Sequence, residues 1–289
     1  MTKLTIITMA AAGTAMFLWG CDIKDPIHKT GHPDKAKITV KTVWTDRGEG
    51  IPKPEEYFVA YDGKEQKVTG DEFTLPDLFD PGMHTLYFHN KPSEITVSGQ
   101  TATVNADGTQ STLIDPMPGW LFTGKLDAAM EADKDYAFTV PMKQQVRELT
   151  LIITPSGGTE GRIASIEASL SGVAGSLDFS NDTHGAPASV AMQFSKITSG
   201  DDAGKWSATV RLLGIAGETQ KLSGTITFTD GTPVDLPMES DLTTALAQFN
   251  REKKQPFILG GSTVETPTET GFTATIKDWE KKSASGTAS

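Results

Sequence analysis

Lys35-Ala36-Lys37-Ile38-Thr39-Val40-Lys41-Thr42-Val43-Trp44 alternates: Ala36, Ile38, Val40, Thr42 and Trp44 fall on one side, Lys35, Lys37, Thr39 and Lys41 on the other. Side chains of a strand point to opposite faces in turn, so this stretch reads as a half-buried β-strand. The same grammar continues downstream. Tyr57 to Tyr61 is rich in aromatic and β-branched residues and stops at Asp62-Gly63, a pair suited to the positive φ of a hairpin turn. His84 to Asn90 follows the Asp80-Pro81-Gly82 turn, and Ile95–Val97 and Thr101–Val104 flank Gly99. These runs predict an antiparallel β unit over residues 35–142.

A boundary is expected near Tyr136 to Lys143, where a strand-like run stops at Pro141 and a second set begins with Leu149, Leu151 and Ile153. Trp206, Ala208, Val210 and Leu212 alternate with polar residues, as do Leu222, Gly224, Ile226 and Phe228, and these two runs read as facing walls of one sandwich. After the Asp230-Gly231 turn comes one helix, capped by Ser240 or Asp241, with Leu242, Leu246 and Phe249 at the i, i+4, i+7 positions of a single face. Phe272, Ala274 and Ile276 give a last strand running into Trp279, and residues 281–289 read as a disordered tail. The predicted fold is all-β: two tandem β-sandwich domains, 35–142 and 143–280, with a short helix in the second.

Composition agrees with an exported chain. Cys21 is the only cysteine in 289 residues and ends Leu18-Trp19-Gly20-Cys21. Lys3 precedes an apolar run from Leu4 to Trp19, the layout of a signal peptide over residues 1–20. A cysteine just past the small Gly20 is the lipobox of a bacterial lipoprotein, which predicts diacylglycerol and an N-acyl chain on Cys21 and no other cofactor. Three acyl chains make such an attachment effectively permanent. The alternative, an uncleaved transmembrane helix, would sit at the short limit, since spanning takes about 20 apolar residues. Residues 21–34, polar and containing Pro26 and Pro33, read as a tether. Asp22 and Asp25 resemble acidic signals that send lipoproteins to the outer face of the outer membrane. His28 and His32 have a helical ligand spacing, but Gly31 and Pro33 disfavour the helix, so both read as solvated. A net charge of −11 makes nucleic acid and anionic lipid surfaces poor partners.

Catalytic patterns are missing. Gly172-Val173-Ala174-Gly175-Ser176 lacks the order of a nucleophile elbow, and there is no His-Glu-x-x-His and no zinc-ligand spacing. Asp178, Ser180 and Asp182 open like a calcium loop, yet Thr183 replaces the turn glycine and Ser189 the bidentate acid, which favours a polar turn. The acidic pairs Asp46/Glu49 and Glu55/Glu56 read as solvated loop charge. Trp44 and Trp206 fall in phase with core faces. Trp120, in Asp115-Pro116-Met117-Pro118-Gly119-Trp120-Leu121-Phe122, is left as either a glycan- or partner-binding aromatic or a staple between domains.

Taken together, Cys21 with its tether, His32-Pro33, Pro116 to Phe122, Met142 to Arg147, Leu170 to Gly175, Arg211-Leu212-Leu213-Gly214, Phe249-Asn250 and Asp278-Trp279 resemble the FimB-type anchor subunits of type V fimbriae. The resemblance covers nearly all of the mature chain. It implies two transthyretin-like, Greek-key sandwiches, no enzymatic activity, and attachment of a fimbria to the outer membrane with a limit on its length. The implied partner is the pilin at the fimbrial base, contacted by β-strand complementation. Arg47, the only arginine of the first unit, lies in the loop Thr45-Asp46-Arg47-Gly48-Glu49-Gly50 after the first strand. An arginine-specific protease could cut there, and an anchor that escapes the cut keeps its first strand. The rival reading is a glycan-binding surface lipoprotein; a secreted hydrolase ranks third.

Overall fold

The computed structural model describes residues 27–110, 112–156, 161–231, 235–268 and 271–283. In chain order the strands are β1 (Ala36–Asp46), β2 (Glu56–Tyr61), β3 (Lys64–Thr69), β4 (Glu72–Thr74), β5 (Gly82–His89), β6 (Ile95–Ser98), β7 (Thr101–Val104), β8 (Phe122–Met130) and β9 (Lys134–Gln144). They continue as β10 (Arg147–Thr154), β11 (Ile163–Asp178), β12 (Thr183–Lys196), β13 (Trp206–Leu212), β14 (Lys221–Phe228) and β15 (Asp235–Asp241). A single helical turn, α1 (Thr243–Leu246), precedes β16 (Phe257–Thr268) and β17 (Gly271–Lys282).

The first sheet runs β3-β2-β5-β8-β9-β1-β4. Ala36, Ile38 and Val40 of β1 are fully buried and Lys37 and Lys41 exposed, so the alternation is realised as expected. Each buried aliphatic of this kind is worth about 1.5–3 kcal/mol in transfer free energy. The Asp62-Gly63 turn joins β2 to β3 with φ of 47° and 74°. One expectation fails: β1 pairs with β9 in parallel, Ala36 opposite Lys134 through Val43 opposite Pro141. Period two says which face is buried but nothing about the direction of the neighbouring strand. Pro141 does not end β9, which runs on to Gln144. It sits where the β1–β9 register shifts after Val43, a place where a strand tolerates the lost N–H.

The second sheet is β12-β13-β10-β16-β17-β15-β14-β11-β7-β6, and β11 also pairs with β12, closing eight of its strands into a barrel. Leu149, Leu151, Ile153, Val210, Leu212, Leu222 and Ile226 line its core. β13 and β14 belong to this one closed wall and do not pair with each other. The hairpin β6–β7, expected in the N-terminal unit, instead joins the second sheet: β7 pairs with β11, and Ile95, Ala102 and Val104 are buried in the barrel core. Sequence order placed it wrongly because four-residue apolar runs do not name the core they enter. The predicted helix is one turn long. Its stripe holds, with Leu242, Leu246 and Phe249 all fully buried. Neither expected residue is the N-cap, which is Leu242: Asp241, one residue earlier, accepts the Thr243 amide through Oδ1, and Ser240 Oγ donates to the Ile276 carbonyl. Lys281 and Lys282, expected in the tail, are part of β17.

Candidate functional site

Cys21, Asp22 and Asp25 lie outside the described residues. The chain enters view at Ile27, 96% exposed, and within three residues it is fastened down. The Asp133 carboxylate, in the β8–β9 turn, accepts the amides of Lys29 and Thr30, each at 2.7 Å, and the Thr30 hydroxyl at 2.9 Å. The Asp133 amide donates in turn to the Lys35 carbonyl. Hydrogen bonds that favour the ionised form, the Lys29 amide first, hold Asp133 below the usual carboxylate range. His32 is not solvated: Nδ1 meets the Lys35 carbonyl at 3.0 Å and Nε2 the Asp135 carboxylate at 2.8 Å, and the Lys35 contact leads in raising its pKa. Residues 29–34 of the expected tether are thus docked against the turn that starts β9. His28 is exposed, and no cluster of three or more metal-ligating side chains occurs among the described residues.

Beyond this clasp β1 runs between β9 and β4. At its far end Trp44 packs edge-on against Tyr57 and Phe122, both at 5.5 Å, and its Nε1 donates to Thr42 Oγ1. Arg47 follows. Its Nη1 donates to the Ile51 carbonyl at 2.6 Å, closing the loop on itself. Gly48 is buried and its amide donates to Gln144 Oε1 at 2.8 Å. A Cβ there would stand 2.6 Å from the Lys254 carbonyl oxygen, so only glycine fits this approach. The Arg47–Gly48 peptide bond is therefore seated against a loop of the second unit.

That loop and the connector between the sheets form a polar knot. Gln144 Nε2 donates to the carbonyls of Val146 and Lys253. Arg147 donates through Nε to the Gln255 carbonyl and through Nη1 to those of Phe249 and Arg251. Lys253 Nζ reaches Gln145 Oε1, the Leu213 carbonyl and His184 Nε2 at 3.1, 2.9 and 2.9 Å. Burial pushes Lys253 down to about 8. Burial, and then the neighbouring Lys253, push His184 down to about 4, so its ring is neutral. A cleft of about 820 Å³ opens beside the knot, with Lys143 and Lys254 facing Asp46, Asp182 and Glu252. Asp178, at the nearby β11–β12 turn, spends its carboxylate on its own loop, accepting the Ser180 amide and hydroxyl.

Trp120 packs against both hydrophobic cores. Its carbonyl accepts Asn90 Nδ2 at 2.9 Å, and the Arg211 guanidinium lies over its ring at 4.5 Å. Trp206, by contrast, is a buried side chain of the barrel. Sequence reasoning singled out Met142 to Arg147 and Arg211 to Gly214 as blocks without seeing why they matter. It missed His184 and Lys253, which carry no spacing signal because their partners come from distant segments.

The model of the family described as Mfa2, fimbrillin-A associated anchor proteins Mfa1 and Mfa2, matches residues 57–285. β1, Arg47 and Cys21 precede that match. Among solved structures, the fimbrial anchor protein Mfa2 from Porphyromonas gingivalis superposes with a TM-score of 0.59 at 14% identity, covering 86% of this chain and 97% of that one. An adhesin candidate from Bacteroides ovatus gives a TM-score of 0.59 at 10% identity over 87% and 96% of the two chains. A protein from Bacteroides thetaiotaomicron described as polysaccharide-binding gives 0.54 at 11% over 86% and 98%. At such identities the likeness establishes a common fold. No curated protein sequence matches the chain.

Proposed function

Because the chain belongs to the family of fimbrillin-A associated anchor proteins, we propose that it is the subunit that holds a fimbria to the outer membrane and limits its length, without enzymatic activity. Acylation of Cys21 fixes it to the membrane, facing the cell exterior, and a pilin at the fimbrial base is contacted by strand complementation. Growth stops at this subunit because its first strand is kept, leaving no groove for a further donor strand. The observation that carries the reading is that β1 is fastened at both ends. Asp133 and His32 hold its start. Gly48, seated on Gln144, holds its exit. Deleting the gene tests the role: electron microscopy is expected to show shed or overlong fimbriae, and unchanged fimbriae would refute it. Mass spectrometry of the surface protein should find no new N-terminus at Gly48, and palmitate labelling should tag Cys21.

A glycan-binding lipoprotein is the second reading, favoured by the fold shared with a protein described as polysaccharide-binding. Against it, one ring face of Trp120 is already covered by Arg211. Glycan-array binding that disappears in Trp120→Ala would decide in its favour.

A further inference from the structure

Arg211, on β13, carries a guanidinium with no hydrogen-bond or ion-pair partner among the described residues. Its Nε is the one buried side-chain polar atom without a hydrogen bond among the described residues. Glu148, opposite it on β10, and Asp115, whose Oδ1 accepts the Met117 amide, form no ion pair with it. Arg147, by comparison, is satisfied by three main-chain carbonyls. What holds Arg211 is a cation–π contact, its Cζ 4.5 Å from the Trp120 ring centre, and its own amide is tied to the Pro116 carbonyl. Among the described residues the two Nη groups find no hydrogen-bond partner, and unlike Nε they are not sealed from solvent. Met117, which follows the Pro116 that Arg211 holds, is 43% exposed, one of four large apolar side chains that stand out from the described surface.

A buried N–H without an acceptor is costly, and a charge-assisted pair with a planar anion is what a guanidinium fork is shaped to make. We propose that Arg211, held over the Trp120 ring and tied through its amide to Pro116, is the docking point for an Asp or Glu carboxylate of the fimbrial subunit that this chain holds. This rests on the anchor reading and adds a contact to it. A protein partner fits better than a sugar for two reasons. The indole face that would stack a sugar ring is occupied by Arg211 itself. Trp, Arg and Met are also the side chains enriched where proteins meet. The chain's net charge of −11 gives no long-range pull on an anion, so this is a short-range contact made inside an interface and not a steering patch.

The test uses fimbriae sheared from cells that lack this chain, immobilised, with the mature chain flowed over them. Arg211→Gln keeps a planar group over Trp120 but removes the charge, and is expected to weaken binding at least about tenfold. Arg211→Lys keeps the charge without the fork and is expected to recover only part. Met117→Glu, a change at an exposed residue, sets a like charge on the segment tied to the Arg211 amide through Pro116 and is expected to cost a similar factor. Affinity within about twofold of wild type in folded Arg211→Gln or in Met117→Glu overturns the proposal, as does full affinity in Arg211→Lys. If Arg211→Gln does not fold, Met117→Glu decides. A wild-type chain that ignores the fimbriae refutes the anchor reading and this contact with it. Binding of polygalacturonate that depends on Arg211 would move the site to an acidic glycan and overturn the protein partner.

Discussion

At the scale of single residues, the pair Lys253 and His184 makes the knot between the sheets sensitive to pH. Both are bases whose folded pKa is depressed, Lys253 to about 8 and His184 to about 4. The unfolded chain therefore binds more protons than the folded one between about 4 and 6.5 for His184 and between about 8 and 10.5 for Lys253, and stability rises with pH through both windows. Denaturant unfolding followed against pH is expected to show stability falling from pH 6.5 towards 4, on the order of 1–2 kcal/mol for His184 after allowing for solvent screening. It should also rise between pH 8 and 10.5, a step that Lys253→Gln removes. Asp133 has the same sign, in a lower pH range. Its depressed carboxylate pKa gives the clasp on Lys29 and Thr30 its strength above the unfolded value, and that strength is lost as pH falls through the folded one. Gly214 shows how tightly the knot is set, since a Cβ there would stand 2.3 Å from the His184 ring.

At the scale of elements, the exit of β1 depends on one side chain. Gln144→Ala leaves the buried Gly48 amide without its acceptor, a loss of about 1–3 kcal/mol. It is expected to turn the Arg47–Gly48 bond into a site cut by an arginine-specific protease, with Gly48 appearing as a new N-terminus in mass spectrometry. A wild-type chain cut there as fast as the variant would contradict the seating. The strands themselves were legible: Ala36, Ile38 and Val40 announced their burial by spacing, and Leu242, Leu246 and Phe249 theirs. Partners were not. Nothing in β1 says that β9 lies beside it in parallel, and nothing in Ile95 or Val104 says that they belong to the barrel core, because such pairings are decided by topology far along the chain. Arg47 drew notice as an isolated arginine. Gly48 next to it, the residue that decides its access, looked like any loop glycine.

On the scale of the whole molecule, the hairpin β6–β7 stitches the two sheets together, since its residues leave the first sheet after β5, add to the second, and return through Trp120 to β8. A chain cut down to residues 35–142 is expected to expose Ile95, Ala102 and Val104 and to aggregate, while residues 27–283 together should melt in a single calorimetric transition. Two separated transitions would show that the hairpin does not couple them. The parallel pairing of β1 with β9 has a mechanical side. A tug arriving at Ala36 and resisted beyond Gln144 pulls neighbouring strands lengthwise past each other, because the load enters at the start of one and leaves at the end of the other. Every rung from Ala36 to Val43 then shares the strain at once instead of parting one after another like a zip, the geometry suited to a mooring.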